Sequence, residues 1–158
     1  MATDTREGTT RGRTPLIVSL QTGEQAVREA LAQIMKGLAP LDLTPEDAIA
    51  VELVLAEALN NVAEHAYPTH HAQGPIQVTC DFEHGGLNVT VADRGLGMPD
   101  GQAPKGNPQP VDLDVQDLPE GGFGWFLIRD LTRDLTYTRI GRENRLRFRM
   151  DMRSTKAG

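Results

Sequence analysis

Helical and strand-like patterns of apolar residues alternate along this chain, and their order predicts its secondary structure. Apolar residues recur every three or four positions over 23–38 and over 45–66, as on the buried side of an amphipathic helix. A third, more apolar helical segment follows the glycines at 121–124. Five shorter runs rich in apolar and β-branched residues predict strands, at 16–20, 76–82, 87–92, 135–140 and 145–151.

Strands grouped in pairs with helices between them predict an α+β fold. We expect a two-layer sandwich, in which a mixed, mostly antiparallel sheet carries the helices on one face. Residues 1–13 are polar and rich in Gly, Thr and Arg, which predicts a disordered N-terminal segment. Residues 14–152 are expected to form one domain, because that length is enough to bury a core.

The second predicted helix begins at a clear start signal. Thr44 supplies a capping hydroxyl, Pro45 occupies the first helical position, and two acidic residues follow where the helix dipole favours them. Glu57 and Asn61 point away from the apolar stripe of this helix and lie about 40° apart around its axis. Because apolar residues precede them in the same sector, we expect a half-buried face that carries polar groups. The predicted stripe consists of Ala48, Val51, Leu55, Ala58, Leu59, Val62 and Ala66.

Composition narrows the class of protein. No apolar run approaches the roughly 18 residues that a membrane span needs, and the N-terminal residues lack the apolar core of a secretory signal. A single cysteine, Cys80, excludes an internal disulfide and a cysteine-built zinc site, and we expect it to be a small buried hydrophobe. These features predict a cytoplasmic protein without a membrane partner.

The net charge of −6 is unevenly distributed. Residues 37–128 contain 14 acidic and two basic side chains, a balance of −12, whereas residues 129–158 contain nine basic and four acidic ones, a balance of +5. The acidic body argues against direct binding of nucleic acid, since phosphate contacts need clustered Lys and Arg. Arg145, Arg147 and Arg149 alternate with apolar residues, which is typical of the solvated face of a strand. A face that docks a charged partner is the alternative, and the two interpretations are compatible.

Three motifs follow one another along the chain. Residues 57–67 (EALNNVAEHAY) lie on the second helix, residues 93–98 (DRGLGM) come directly after a strand, and residues 121–124 (GGFG) open the third helix. Residues 94–120 show no periodicity, and a loop of that length in a small domain is usually functional.

In this order and at these spacings, the motifs resemble those of the Bergerat-fold ATPases, the superfamily of DNA gyrase subunits, sensor histidine kinases and heat-shock chaperones of the ninety-kilodalton class. Within it, the chain looks most like the anti-sigma-factor serine/threonine kinases. The helical motif is similar to their N box, and the two glycine motifs are similar to their two glycine boxes. The ending Gly141-x-x-Asn144-x-Leu146 also resembles that subfamily, and the resemblance covers about residues 14–151.

This resemblance implies a function. We expect a serine/threonine protein kinase that uses ATP and Mg²⁺, phosphorylates an anti-sigma-factor antagonist and holds a sigma factor inactive, as a homodimer. Two positions depart from the family pattern: Trp125 replaces a smaller aliphatic residue, and Asn60 replaces a small hydroxyl residue. Neither departure removes a catalytic group.

The chemistry of three side chains agrees with this expectation. Mg²⁺ takes one or two protein oxygens besides waters and phosphates, so the side-chain carbonyl of Asn61 suffices as its protein ligand. Glu57, one turn earlier, is the candidate catalytic base for an attacking hydroxyl. Asp93 accepts hydrogen bonds only, which suits the exocyclic amine of adenine and disfavours guanine.

The first glycine motif is expected to lie against the base. Gly95 and Gly97 lack a Cβ and let the backbone approach the nucleotide, and the resemblance places Met98 in the same site. His65 is a characteristic site position in the family, although a lone histidine at a helix end is more often a packing or capping residue.

The second glycine motif is expected to bind the phosphates through backbone N–H groups and the positive end of a helix dipole. Residues 98–120 would form a lid over the nucleotide. Lys105 is the basic residue of this loop, and it either reaches a phosphate or stays solvated. The phosphate-binding motif consists of Gly121, Gly122, Phe123 and Gly124.

Two other functions are possible from the sequence alone. The first is an ATP-binding regulatory module that switches protein partners without significant phosphoryl transfer, and the intact Glu57 argues against it. The second is a detached catalytic domain of a histidine kinase, which needs a phosphoacceptor histidine on a helical hairpin. No histidine precedes His65, so we expect that this second function does not apply.

Overall fold

A computed structural model describes residues 14–68, 74–105 and 122–153. The N-terminal segment 1–13, expected to be disordered, and residues 106–121 of the expected lid lie outside the described residues.

The predicted order of strands and helices is confirmed, with bounds that differ from the expected ones by about two residues. The helices are α1 (Glu24–Leu38), α2 (Pro45–Ala66) and α3 (Gly122–Leu131). The strands are β1 (Leu16–Gln21), β2 (Pro75–Glu83), β3 (Gly86–Asp93), β4 (Arg133–Ile140) and β5 (Glu143–Asp151). Short 3-10 turns occur at Ala39–Leu41 and Pro99–Gly101.

The five strands form one sheet in the order β1-β2-β3-β5-β4. The sequence predicted a mixed sheet, but all four described pairings are antiparallel. The reason lies in the last hairpin, β4–β5. Strands β3 and β4 run in the same direction, and β5 lies between them, so these two strands do not pair.

The two-layer architecture is confirmed by the alternation of buried and exposed side chains on the strands. One face of the sheet packs against the helices, and burial raises the pKa of the Cys80 thiol there to about 12, as expected of a buried hydrophobe. The opposite face carries Arg145 and Arg147, which are exposed as predicted for a solvated strand face. Arg149 on the same face is half-buried and donates to Asn88 Oδ1 at 3.2 Å. The buried strand residues include Val18, Leu20, Ile76, Val78, Leu87, Val89, Val91, Leu146, Phe148 and Met150.

Helix α2 lies between the other two helices and contacts both. Its start is as predicted, since Thr44 Oγ1 accepts a hydrogen bond from Asp47 N at 3.1 Å. Two residues of α2 that lie outside the predicted apolar stripe are also buried. Val54 is fully buried because α2 is covered on both sides, and the buried Asp47 carboxylate accepts a hydrogen bond from the backbone of Arg153. Across the described ranges, no helix combines the length and apolar character that crossing a bilayer requires.

Candidate functional site

Two residues one turn apart on α2 form the first part of the site. Glu57 and Asn61 are both half-buried, as their sector of the helix predicted. Asn61 Nδ2 donates to the backbone carbonyl of Glu57 at 2.7 Å. This bond fixes the orientation of the Asn61 amide and leaves its side-chain oxygen available to accept a hydrogen bond or to bind a cation.

The start of α3 packs directly against these two side chains. A Cβ at Gly124 would lie 2.4 Å from Glu57 Oε1 and 3.1 Å from Asn61 Nδ2. Glycine therefore lets α3 begin here without displacing the Glu57 carboxylate. The first turn of a helix has unpaired N–H groups and the positive end of the helix dipole, so this junction suits an anionic ligand.

Asp93 ends β3 and is only 5% exposed. Its Oδ1 accepts two hydrogen bonds, from Gly95 N at 2.8 Å and from Asn144 Nδ2 at 2.7 Å. Its Oδ2 accepts no hydrogen bond from the described residues. Oδ2 is therefore the oxygen of this carboxylate that is open to a further donor.

The surroundings of Asp93 act on its pKa in both directions. Burial raises the pKa of this carboxyl above its ordinary value of 3.8. The hydrogen bonds from Asn144 and Gly95 and the charges of Arg139 and His65 lower the pKa and offset part of that effect. The site thus holds a desolvated carboxylate with one anchored oxygen and one accessible oxygen.

The first glycine motif packs on the C-terminal end of α2. A Cβ at Gly95 would lie 2.2 Å from the carbonyl oxygen of Ala66, and Leu96 N donates to that same oxygen at 3.0 Å. His65 Nε2 donates to the carbonyl of Gly97 at 3.2 Å. His65 therefore tethers the glycine motif to the helix, and its direct contact with a nucleotide stays a prediction.

A cavity of about 270 Å³ adjoins Asn61 and His65, and its described lining does not include Glu57, Asp93 or Gly124. Asn61 and His65 contribute polar side chains to its wall, whereas Met98 and Trp125 contribute apolar ones. This combination of apolar surface with a few polar groups is typical of a small-molecule site. The full lining consists of Asn61, Glu64, His65, Met98, Pro104 and Trp125.

Residues 20–150 match the family model described as the histidine kinase-like ATPase domain. The chain belongs to this family.

Named relatives of this ATPase domain fall in the expected class. The chain is 26% identical over 113 residues to the anti-sigma F factor of Geobacillus stearothermophilus, covering 70% of this chain and 75% of that protein. It is 28% identical over 95 residues to the serine-protein kinase RsbW of Staphylococcus aureus strain JH9, covering 59% of each chain. The resemblance to the anti-sigma-factor kinases is therefore confirmed.

The fold of the ATPase domain is also found in a solved structure. The crystal structure of the RsbU and RsbW domains of Rv1364c from Mycobacterium tuberculosis superposes with a TM-score of 0.60 at 18% identity. The match covers 89% of this chain and 33% of the larger chain, so the chain spans a third of that protein's crystallised length. This likeness confirms the fold alone.

The residues of the ATPase domain fit ATP with Mg²⁺. Asp93 Oδ2 is an accessible acceptor, Asn61 has a carbonyl oxygen to offer, and Gly124 leaves space that a Cβ would fill. In the described part of the chain, no three His, Cys, Asp or Glu side chains cluster as a metal site. A cation here would therefore draw its remaining ligands from phosphates and water, as Mg²⁺ usually does.

The remaining predicted site residues are placed less completely. Lys105 is exposed and follows Pro104 of the cavity wall, so its phosphate contact stays a prediction. Gly122 and Phe123 are the first residues of α3, as predicted, whereas Gly121 lies outside the described residues.

Sequence reasoning missed three residues on the last two strands. Arg139 Nη1 donates to Asn144 Oδ1 at 2.7 Å and to the carbonyl of Gly95 at 2.9 Å. Met98 N donates to the hydroxyl of Tyr137 at 2.9 Å. Asn144 could have been identified from the sequence, since it belongs to the ending that resembled the family. Arg139 and Tyr137 belong to none of the recognised motifs.

Proposed function

We propose that this chain is an ATP-dependent serine/threonine protein kinase that acts as an anti-sigma factor. It transfers the γ-phosphoryl group of ATP to a serine or threonine of an anti-sigma-factor antagonist, and it holds a sigma factor inactive. The named relatives support this function, and so does the family of ATPase domains to which the chain belongs. The observation that carries the proposal is the contact of Glu57 and Asn61 with the start of α3 at Gly124.

Each residue has one role in this proposal. Asp93 accepts a hydrogen bond from the amine of adenine, and Asn61 supplies the protein oxygen to Mg²⁺, which neutralises phosphate charge when bound. The glycines at the start of α3 leave room for the phosphates. Glu57 accepts the proton of the attacking hydroxyl, as positioned carboxylates do in phosphoryl transfer.

The proposal includes the cellular setting of the reaction. A protein that holds a sigma factor works in the cytoplasm, and the proposed assembly is a homodimer that binds a sigma factor. Light scattering of the purified chain, alone and with candidate sigma factors, measures both the dimer and the complex. A monomer at all concentrations would contradict the dimer and leave the phosphoryl-transfer proposal standing.

The test is transfer of label from γ-labelled ATP to a purified candidate antagonist that binds the chain. Glu57→Gln should lower the transfer rate at least about 100-fold, since general bases contribute about 10²–10⁴-fold, while ATP affinity stays the same. Glu52→Gln is the matched control, because Glu52 is an exposed acid on the same helix. It should transfer at the wild-type rate.

Two results would count against the proposal. Undiminished transfer by Glu57→Gln would show that the base lies elsewhere. Binding of ATP and antagonist by the wild type, with no label on the antagonist, would instead identify a nucleotide-dependent regulatory module.

A further inference from the structure

The Asn144 side chain is the most buried polar group of the site, at 1% exposure. It lies on β5 directly opposite Asp93, its partner in the β3–β5 register. Its Nδ2 donates to Asp93 Oδ1 at 2.7 Å and to the carbonyls of Gly95 and Leu96, each at 3.2 Å. Its Oδ1 accepts the hydrogen bond from Arg139. The donor and the acceptor of this amide are therefore both hydrogen-bonded, as is usual for buried polar groups.

These bonds determine how the Asp93 carboxylate is oriented. With Oδ1 held by Asn144 and by Gly95 N, rotation of the carboxylate would break two short hydrogen bonds. The oxygen that remains available is therefore always Oδ2. A carboxylate that rotated freely would present its accessible oxygen in many directions, and it would lose orientation towards a bound base.

Arg139 fixes the amide in turn. Its Nη1 donates both to Asn144 Oδ1 and to the carbonyl of Gly95, so it links the amide to the first glycine motif. The guanidinium requires an acceptor at this position, which orients the amide with its Nδ2 towards Asp93. The charge of Arg139 and the bond from Asn144 also lower the Asp93 pKa against the effect of burial.

We propose that Asn144, held by Arg139, is the positioning residue that makes this site selective for adenine nucleotides. It turns the free oxygen of Asp93 towards the exocyclic amine of the base. This inference rests on the proposed function through the adenine-binding role of Asp93. It is independent of the catalytic role of Glu57.

The experiment compares the affinities for ATP and for inosine triphosphate, which carries a carbonyl in place of the exocyclic amine. The wild type should prefer ATP. Asn144→Asp keeps the size of the side chain and an acceptor for Arg139, but it replaces the donor to Asp93 with a second carboxylate oxygen. We expect it to weaken ATP binding by about tenfold or more, the usual effect of losing a hydrogen bond to a charged group, with inosine triphosphate affinity nearly unchanged.

Arg139→Gln is the second variant, and it serves if Asn144→Asp does not fold. It should lower the preference for ATP by a smaller factor, because the amide loses its anchor but stays in place. Arg147→Gln is the matched control: Arg147 is exposed on the opposite face of β5, and its side chain makes no hydrogen bond or ion pair with the described residues. Its preference for ATP should equal that of the wild type.

The possible results distinguish the adenine-binding role of Asp93 from the positioning role of Asn144. A wild type that binds both nucleotides equally would overturn the adenine-binding role of Asp93 and this inference with it. A wild type that prefers ATP, with variants that lose both affinities in parallel and keep the preference, would show that Asn144 only supports the fold. A lowered preference in Asn144→Asp or Arg139→Gln, but not in Arg147→Gln, would support the positioning role.

Discussion

The two oxygens of Asp93 have different surroundings, and this asymmetry determines what the residue can do. Oδ1 is bound by two protein donors, and Oδ2 is accessible. Burial raises the pKa of this carboxyl, yet its donors and the nearby Arg139 favour the charged form. The ionised carboxylate accepts the amine of adenine more strongly than the protonated acid does, so the residue links nucleotide binding to pH.

The first prediction follows from that raised pKa. ATP affinity should be full above the Asp93 pKa and should fall as the pH drops through it. This loss should occur at a higher pH than the ordinary aspartate value of 3.8 would give. Calorimetric titrations between neutral and mildly acidic pH measure the effect.

Asp93→Asn is the control for this pH dependence. It should bind ATP about tenfold or more weakly at neutral pH, because it loses a hydrogen bond to a charged acceptor. The part of the pH dependence that belongs to Asp93 should disappear, and only the titration of the nucleotide itself should remain. Identical pH curves for the wild type and Asp93→Asn would contradict the role of Asp93.

At the scale of elements, α2 receives two close approaches, each made possible by a glycine. The first glycine motif meets the C-terminal end of α2 at Gly95, and the start of α3 meets the middle of α2 at Gly124. The contacts differ in kind. At Gly95 the neighbour is the backbone of Ala66, whereas at Gly124 it is the end of the flexible Glu57 side chain.

The second prediction compares an alanine at each glycine. Gly95→Ala should lower the free energy of unfolding by about 1–3 kcal/mol or more, since overpacking against a backbone atom forces the chain to shift. Gly124→Ala should leave that free energy equal or slightly higher, because Glu57 can move and alanine favours a helix by up to about 1 kcal/mol.

Activity should respond differently from stability at these two sites. Gly124→Ala displaces the Glu57 carboxylate, so it should lower phosphoryl transfer at least about tenfold, as loss of an oriented catalytic group does. Urea denaturation and the γ-label assay measure the two quantities. A Gly124→Ala variant with wild-type transfer would show that the position of Glu57 does not matter for the reaction.

At the scale of the whole molecule, the site joins elements from most of the described chain. Helix α2 contributes Asn61, β3 contributes Asp93, α3 contributes Gly124 and β5 contributes Asn144. A ligand that binds where these elements meet binds the folded chain and has no equivalent site in the unfolded chain. Nucleotide binding should therefore stabilise the fold as a whole.

The third prediction is a stability increase with Mg-ATP. At about 100 times its dissociation constant, the nucleotide should add about 2.7 kcal/mol to the free energy of unfolding. For a chain of this size, the midpoint of thermal unfolding should then rise by roughly 5–10 °C. Chelation of Mg²⁺ should reduce the rise. Without the metal, the oxygen of Asn61 has no cation to bind and the phosphate charge is not neutralised, so the nucleotide binds more weakly.

Asp93→Asn provides the control for this thermal shift, and it should show a much smaller rise at the same ATP concentration. A rise of equal size in the wild type and the variant would place the nucleotide elsewhere. An unchanged rise after chelation would contradict the role of the metal.

The sequence by itself determined the elements and predicted most of the candidate site residues. Periodicity located the helices and strands, because burial on one side of an element requires apolar residues at its own repeat. Thr44 and Pro45 marked the start of α2, since helix ends have local chemical requirements. Glu57 and Asn61 were recognised from their sector of the helix, and Asp93 from its place between a strand and a glycine motif.

Tertiary structure decided which of these residues meet and how each is oriented. Asp93 and Asn144 are paired because β5 lies next to β3, and no local pattern encodes that neighbour across 51 positions. The burial of Val54 depends on helices packing on both sides of α2, which its own periodicity does not specify. Local sequence thus determines faces and ends of elements, whereas the partner across a sheet follows from strand order, which the packing of the whole chain selects.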